Sequence, residues 1–186
     1  MGEIYERVER CYESIRDRIT LTPKVALVLG SGLGDYADGI DVENVIEYRE
    51  IEGFPISTVS GHKGRFVFGR VEGVPVVIMQ GRVHYYEGYP MQDVVLPARL
   101  MRRMGAETLF LTNAAGSVNR EFAAGDFMML TDQISAFVPS PLIGPNEDKL
   151  GPRFCDMTTV YDKPLQAVIR ECAKKLQIPL KEGVYM

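Results

Sequence analysis

Three short, unbroken apolar runs constrain this chain more than any other feature. Residues 25–29 (Val-Ala-Leu-Val-Leu), 74–79 (Val-Pro-Val-Val-Ile-Met) and 108–112 (Thr-Leu-Phe-Leu-Thr) each lead into a polar segment containing glycine. Apolar runs of this length without polar alternation are the pattern of strands covered on both faces. Segments of helical spacing lie around them. Ile4, Val8, Cys11, Tyr12, Ile15 and Ile19 recur with charged residues between them, which predicts an amphipathic opening helix ending before Pro23. Residues 91–104 predict a second helix capped by Gly105, and residues 163–176 a third with Val168, Ile169, Cys172 and Leu176 on one face. Residues 66–71 and 74–79 flank Glu72-Gly73, a hairpin signal, and residues 127–130 predict a further strand. The alternation predicts an α/β protein, a mixed sheet layered with helices.

The length of 186 residues fits one domain, and no internal repeat or low-complexity tract divides residues 1–186. Residues 136–158, rich in proline, glycine and polar side chains, form a long connection of the kind that serves as a lid or contact surface. Residues 183–186 (Gly-Val-Tyr-Met) have strand character and then stop, so the expectation is a chain truncated at its C-terminal end.

Composition narrows the partners. A net charge of −4 leaves no basic stripe to neutralise a nucleic-acid backbone. No stretch approaches a membrane span, and no apolar signal core opens the chain. Cys11, Cys155 and Cys172 are odd in number and far apart, which fits a reduced, cytoplasmic protein without structural zinc. The two histidines, His62 and His84, are 22 positions apart and make a poor metal site. A basic pocket within an acidic protein points to a small anion instead.

Four polar segments could carry chemistry. Gln80-Gly81-Arg82-Val83-His84-Tyr85-Tyr86-Glu87-Gly88-Tyr89 follows the second apolar run. Arginine supplies a fork for phosphate or carboxylate, histidine a second donor, and tyrosines flat walls for a sugar or base. Glu87 is placed to hold His84 in one tautomer; the bland alternative is a surface Arg-Glu pair beside a structural histidine. Gly30-Ser31-Gly32-Leu33-Gly34 follows the first run and is either a phosphate cradle or a tight strand-to-helix turn. Asp35 stands where the third glycine of a dinucleotide fingerprint belongs, which argues against a Rossmann-type binder. Gly61-His62-Lys63-Gly64-Arg65 is a cationic flap or a solvated hairpin tip, and Asn113-Ala114-Ala115-Gly116-Ser117 a ligand-side loop or a simple turn. Phe154 and Tyr161, taken alone, default to core aromatics.

Together and in this order, with Gly125-Asp126 and the stretch from Gly144-Pro145-Asn146-Glu147 through Arg153-Phe154 to Tyr161-Asp162, these motifs closely resemble trimeric purine nucleoside phosphorylases from about residue 25 onward. The resemblance implies a distorted, barrel-like mixed β-sheet flanked by helices. It implies reversible phosphorolysis of inosine- or guanosine-type nucleosides to purine and (deoxy)ribose 1-phosphate, with orthophosphate as co-substrate and no cofactor or metal. By that resemblance Ser31, His62, Arg82, His84 and the backbone of Ala114 hold phosphate. His84 and Glu87 are the catalytic pair, and Tyr86 contacts ribose. Ala115 and Gly116 line the base pocket, and Phe154 reaches the ribose site of a neighbouring subunit in a homotrimer. Members of the family continue beyond a Gly-Val-Tyr-like segment with residues that read the purine, so this 186-residue chain is expected to turn over poorly. The alternatives are a methylthioadenosine phosphorylase and a catalytically incompetent phosphate- or nucleoside-binding fragment.

Overall fold

A computed structural model of the chain describes residues 2–57 and 63–186. They form two compact units, Met1–Ala114 with Ser140–Leu150 and Ala115–Pro139 with Gly151–Met186.

In the first unit β1 (Val25–Val28), β2 (Asp41–Glu47), β3 (Arg65–Val71), β4 (Val74–Gln80) and β5 (Thr108–Leu111) form one mixed sheet in the order β2-β3-β4-β1-β5. β1 runs parallel to both β4 and β5, whereas β3 is antiparallel to β2 and to β4. The hairpin expected at Glu72-Gly73 is present: both residues have positive φ, 47° and 77°, the conformation whose twist matches a two-residue hairpin. Side chains alternate along the paired strands. Phe66, Phe68, Val77 and Met79 enter the larger core, and Val67, Val76 and Ile78 the smaller one on the opposite face.

Helices α1 (Glu3–Ile15) and α2 (Met91–Arg103) supply the larger core with Val8, Cys11, Ile15, Leu96, Leu100 and Met101. Pro97 lies inside α2 and cannot donate to the Asp93 carbonyl. The helix continues through it because its buried side, Leu96, Leu100 and Met101, is fixed by packing. Gly105 follows the helix with φ of 117°, the left-handed residue expected after the cap.

Residues 108–112 read as a buried strand, yet β5 is the last strand of the sheet, and Leu109, Phe110 and Leu111 are 47%, 42% and 56% exposed. An apolar run specifies strand character; which neighbours cover it is a tertiary matter. β2 carries no clear signal in the sequence. Its Asp-Val-Glu-Asn-Val-Ile-Glu run is charged and its first three residues are exposed, as suits an edge strand, with Ile46 alone buried.

The second unit contains β6 (Phe127–Gln133), α3 (Lys163–Lys175) and β7 (Leu180–Tyr185). β6 and β7 pair in parallel, which requires a crossover connection, and α3 lies within it. The Asp162 carboxylate accepts from Leu165 N (2.8 Å) and caps α3, and Pro164 sits in the first turn. Arg170 forks onto Glu182 of β7 with two 2.7 Å contacts. The apolar face expected on α3 is not covered: Val168 and Leu176 are exposed, and the buried residue of the helix is Gln166. Phe154 is no core aromatic either, at 89% exposure. Among the described residues no helix or strand interrupts the span from Gln133 to Lys163, in keeping with the long connection read from sequence. Its Ser140–Leu150 part belongs to the first unit, where Gln92 Nε2 donates to Pro141 O at 2.6 Å.

Candidate active site

β4, β1 and β5 are neighbours and parallel, so the segments leaving their C-terminal ends emerge along one edge of the sheet. In open α/β sheets that edge is where ligands bind. The segments are 81–89 after β4, 29–34 after β1 and 112–114 after β5.

The loops after β1 and β5 touch through their backbones. A Cβ on Gly30 would lie 2.7 Å from both Asn113 Cα and Thr112 O, so only glycine permits this approach. Thr112 fastens the contact. Its Oγ1 accepts from Gly30 N (2.8 Å) and donates to Val28 O (2.8 Å). Ser31 follows in the exposed turn, where Gly32 takes a φ of 83°.

After β4 the chain turns at Gly81, with φ of 103°. Its carbonyl accepts from the hydroxyl of Tyr48 at 2.7 Å, a fully buried side chain whose phenol is pushed well up in pKa by burial. Arg82 Nη1 donates to Thr112 O (2.8 Å), which ties the β4 loop to the β5 loop, and its Nε donates to His84 Nε2 (3.1 Å). A guanidinium accepts nothing, so Nε2 of His84 is the acceptor and Nδ1 carries the ring proton. That proton points at Glu87 Oε1, 2.8 Å away. The same carboxylate oxygen accepts from His84 N (2.7 Å), and Ser57 Oγ donates to its Oε2 (3.2 Å). Glu87 thereby caps the short 3-10 turn Tyr85–Glu87, which Gly88 ends with φ of 90°. Its side chain is 3% exposed against 17% for His84, so the carboxylate lies beneath the imidazole. Tyr86 stacks on the His84 ring with centroids 4.7 Å apart and planes 17° apart.

The structure therefore gathers Arg82, His84, Glu87 and Tyr86 on one strand-end loop and places Ser31 and Ala114 on its two neighbours. His62 lies outside the described residues. Ala115, Gly116 and Phe154 belong to the second unit and are exposed. Among the described residues, no cluster of three His, Cys, Asp or Glu side chains is placed to hold a metal ion. Guanidinium, hydroxyl and backbone donors gathered at one sheet edge are groups of the kind that can hold an oxyanion.

Three contributors have no role assigned from the sequence. Thr112 bridges two loops through a single hydroxyl, and Tyr48 reaches Gly81 across 33 positions. Ser57 reaches Glu87 across 30 positions. Long-range pairings of this kind leave no local pattern to read.

Known proteins resemble this chain in sequence and in fold. Residues 24–186 match the family profile described as the Phosphorylase superfamily. The chain is 49% identical over 180 residues to purine nucleoside phosphorylase 1 of Bacillus subtilis, covering 97% of this chain and 66% of that protein. It is 40% identical over 192 residues to the purine nucleoside phosphorylase of Bos taurus, covering 100% of this chain and 66% of that one. The solved Schistosoma mansoni purine nucleoside phosphorylase in complex with inosine superposes with a TM-score of 0.90 at 35% identity, over 97% of this chain and 65% of that chain. This chain thus spans just under two thirds of the length of each of these two curated relatives.

Proposed function

This chain belongs to the phosphorylase superfamily, and on that premise we propose that it serves the reversible phosphorolysis of purine nucleosides of the inosine or guanosine type. The observation that carries the reading is the tie from Arg82 to Thr112 O and from Thr112 to Gly30 N, which draws three loops rich in anion donors together at one sheet edge.

In the proposed reaction a phosphate oxygen attacks C1′ of the nucleoside while the bond from C1′ to the purine N9 breaks. The electron pair leaves with the purine, which takes up, by way of solvent, the proton that hydrogen phosphate gives up, and the sugar departs as its 1-phosphate. Positive charge builds on the sugar ring in between, so an anion held against C1′ stabilises the transition state. Ser31, Arg82, His84 and the Ala114 backbone hold that phosphate, together with His62. With its Nδ1 proton committed to Glu87, His84 meets phosphate through Nε2. It accepts there from a protonated phosphate oxygen, or donates once Nε2 is itself protonated. Arg82 turns its Nε donor from His84 to the ligand. By the family resemblance Tyr86, which stacks on His84, would contact ribose, and Ala115 and Gly116 would line the base pocket.

The reaction uses no cofactor beyond its phosphate co-substrate. A homotrimer is part of the proposal: Phe154, exposed within one chain, would complete the ribose site of a neighbour. A cytoplasmic location is likewise proposed. Among the described residues no helix is long and apolar enough to cross a membrane.

The test combines calorimetric titration with orthophosphate and an assay of hypoxanthine release from inosine. Phosphate binding that Arg82→Ala abolishes, with purine release, supports the enzyme. Binding without purine release supports a phosphate-binding protein, and no binding overturns the reading. Methylthioadenosine in place of inosine separates the two phosphorylase activities.

A further inference from the structure

We propose that Gln80 is a positioning residue for the phosphate site, setting the Ser31 loop relative to Arg82; the proposal rests on the phosphorolytic reading above. Gln80 is the last residue of β4 and only 1% exposed, and Arg82 follows two positions later. Its carboxamide is engaged at both ends. Arg65 Nε donates to Oε1 (2.7 Å), and Nε2 donates to the Gly34 carbonyl (2.6 Å). Because a guanidinium only donates, Arg65 fixes which end of the amide is oxygen and so aims the NH2 group at Gly34.

The glycine loop thus has an anchor at each end. Thr112 holds Gly30 N, Gln80 holds Gly34 O, and Ser31 lies between them. Nothing lies within 4 Å of where a Cβ would sit on Gly32 or Gly34, and between the anchors the turn is closed by its own hydrogen bond from Leu33 N to Gly30 O (3.1 Å). A second clamp backs the first. Arg65 Nη2 and Lys63 Nζ donate to the two oxygens of Asp38 (2.9 and 2.5 Å), holding the short helical turn Gly34–Asp38 against the start of β3. A phosphate bound by donors from separate loops depends on their spacing, so a buried amide joining one loop to the strand that carries the other controls affinity without touching the ligand.

The test uses the 186-residue chain, orthophosphate and calorimetry, with hydrogen exchange at residues 30–34 and thermal unfolding on the same samples. Gln80→Glu keeps the size and strengthens the pairing with Arg65, but presents an acceptor to the Gly34 carbonyl. The expected result is a phosphate Kd raised about tenfold, the scale of one misplaced hydrogen bond. Global unfolding should shift modestly, since a buried acceptor is left unpaired, and exchange at residues 30–34 should quicken by more than that shift accounts for. If Gln80→Glu does not fold, Gln80→Met, which removes both hydrogen bonds at similar volume, takes its place with the same expected loss. Unchanged affinity in the variant that folds, while Arg82→Ala abolishes binding, overturns the proposal and leaves the phosphorolytic reading standing. A loss of affinity no larger than the loss of folded protein also overturns it, since Gln80 would then serve packing alone. Failure of the unsubstituted chain to bind phosphate overturns the phosphorolytic reading, and this proposal with it.

Discussion

In the proposed site His84 can face phosphate only through Nε2, because its Nδ1 proton lies 2.8 Å from a Glu87 oxygen that also accepts from the His84 backbone. Replacing Glu87 by alanine strands both donors beside a nearly buried cavity. The expected cost is about 1–3 kcal/mol of stability, from donors left unsatisfied. Phosphate affinity should fall as well, because the imidazole loses its fixed tautomer. Glu87→Gln keeps one acceptor oxygen and is expected to recover most of the stability. Thermal unfolding and phosphate titration of the two variants check this; equal effects from both would show that the carboxylate does not orient the ring. Glu87 was legible in the sequence as a partner for His84 because the two are three positions apart, within reach across one tight turn. Ser57 and Tyr48 were not, because their contacts to this loop depend on where distant strands lie.

At the scale of elements, the loops after β1 and β5 are joined at Gly30. A methyl group there meets backbone atoms at 2.7 Å, which cannot move aside as a flexible side chain would. Gly30→Ala is therefore expected to destabilise the first unit by about 1–3 kcal/mol, the usual cost of overpacking, and to weaken phosphate binding by parting the two loops. A melting temperature equal to that of the unsubstituted chain would refute the close approach. Between α1 and α2, Arg103 forks onto Glu9 (2.6 and 3.0 Å), and that hydrogen bond holds the Glu9 carboxyl below its ordinary value of 4.5. A carboxylate whose pKa is lowered by folding stabilises the fold above the unfolded value, and the contribution is lost as pH falls through the folded value. Both groups are partly exposed, so about 0.5–1 kcal/mol is at stake. The gap in melting temperature between the unsubstituted chain and Glu9→Gln should hold from pH 7 to pH 5 and close at lower pH. A gap independent of pH would show that the ion pair contributes nothing. The helices themselves were readable from spacing, since α1 buries Val8, Cys11 and Ile15 at intervals of three and four.

Over the whole molecule, the chain displays apolar surface that its sequence marks for burial. β5 ends the sheet with Leu109, Phe110 and Leu111 exposed, and an apolar edge strand is a template for pairing with other chains. Leu111→Lys at this edge is expected to reduce concentration-dependent association, read by light scattering, with little change in melting temperature. Association unaffected by the charge would place the sticky surface elsewhere.

The sequence by itself determined the α/β class, the three helices, the β3–β4 hairpin and the loops that hold Arg82, His84 and Glu87. Each of these rests on neighbours in the chain: a period of 3.6 residues, an unbroken apolar run, a two-residue turn, a spacing of three. Tertiary structure alone decided that β4, β1 and β5 lie side by side in parallel, so that their loops share one edge. It also decided that Thr112 and Gln80 fasten those loops, and that the apolar run of β5 stays exposed. The physical reason is the same in each case. Strand order and coverage are set by contacts between residues tens of positions apart, and a local pattern can state what a segment is but not what lies beside it.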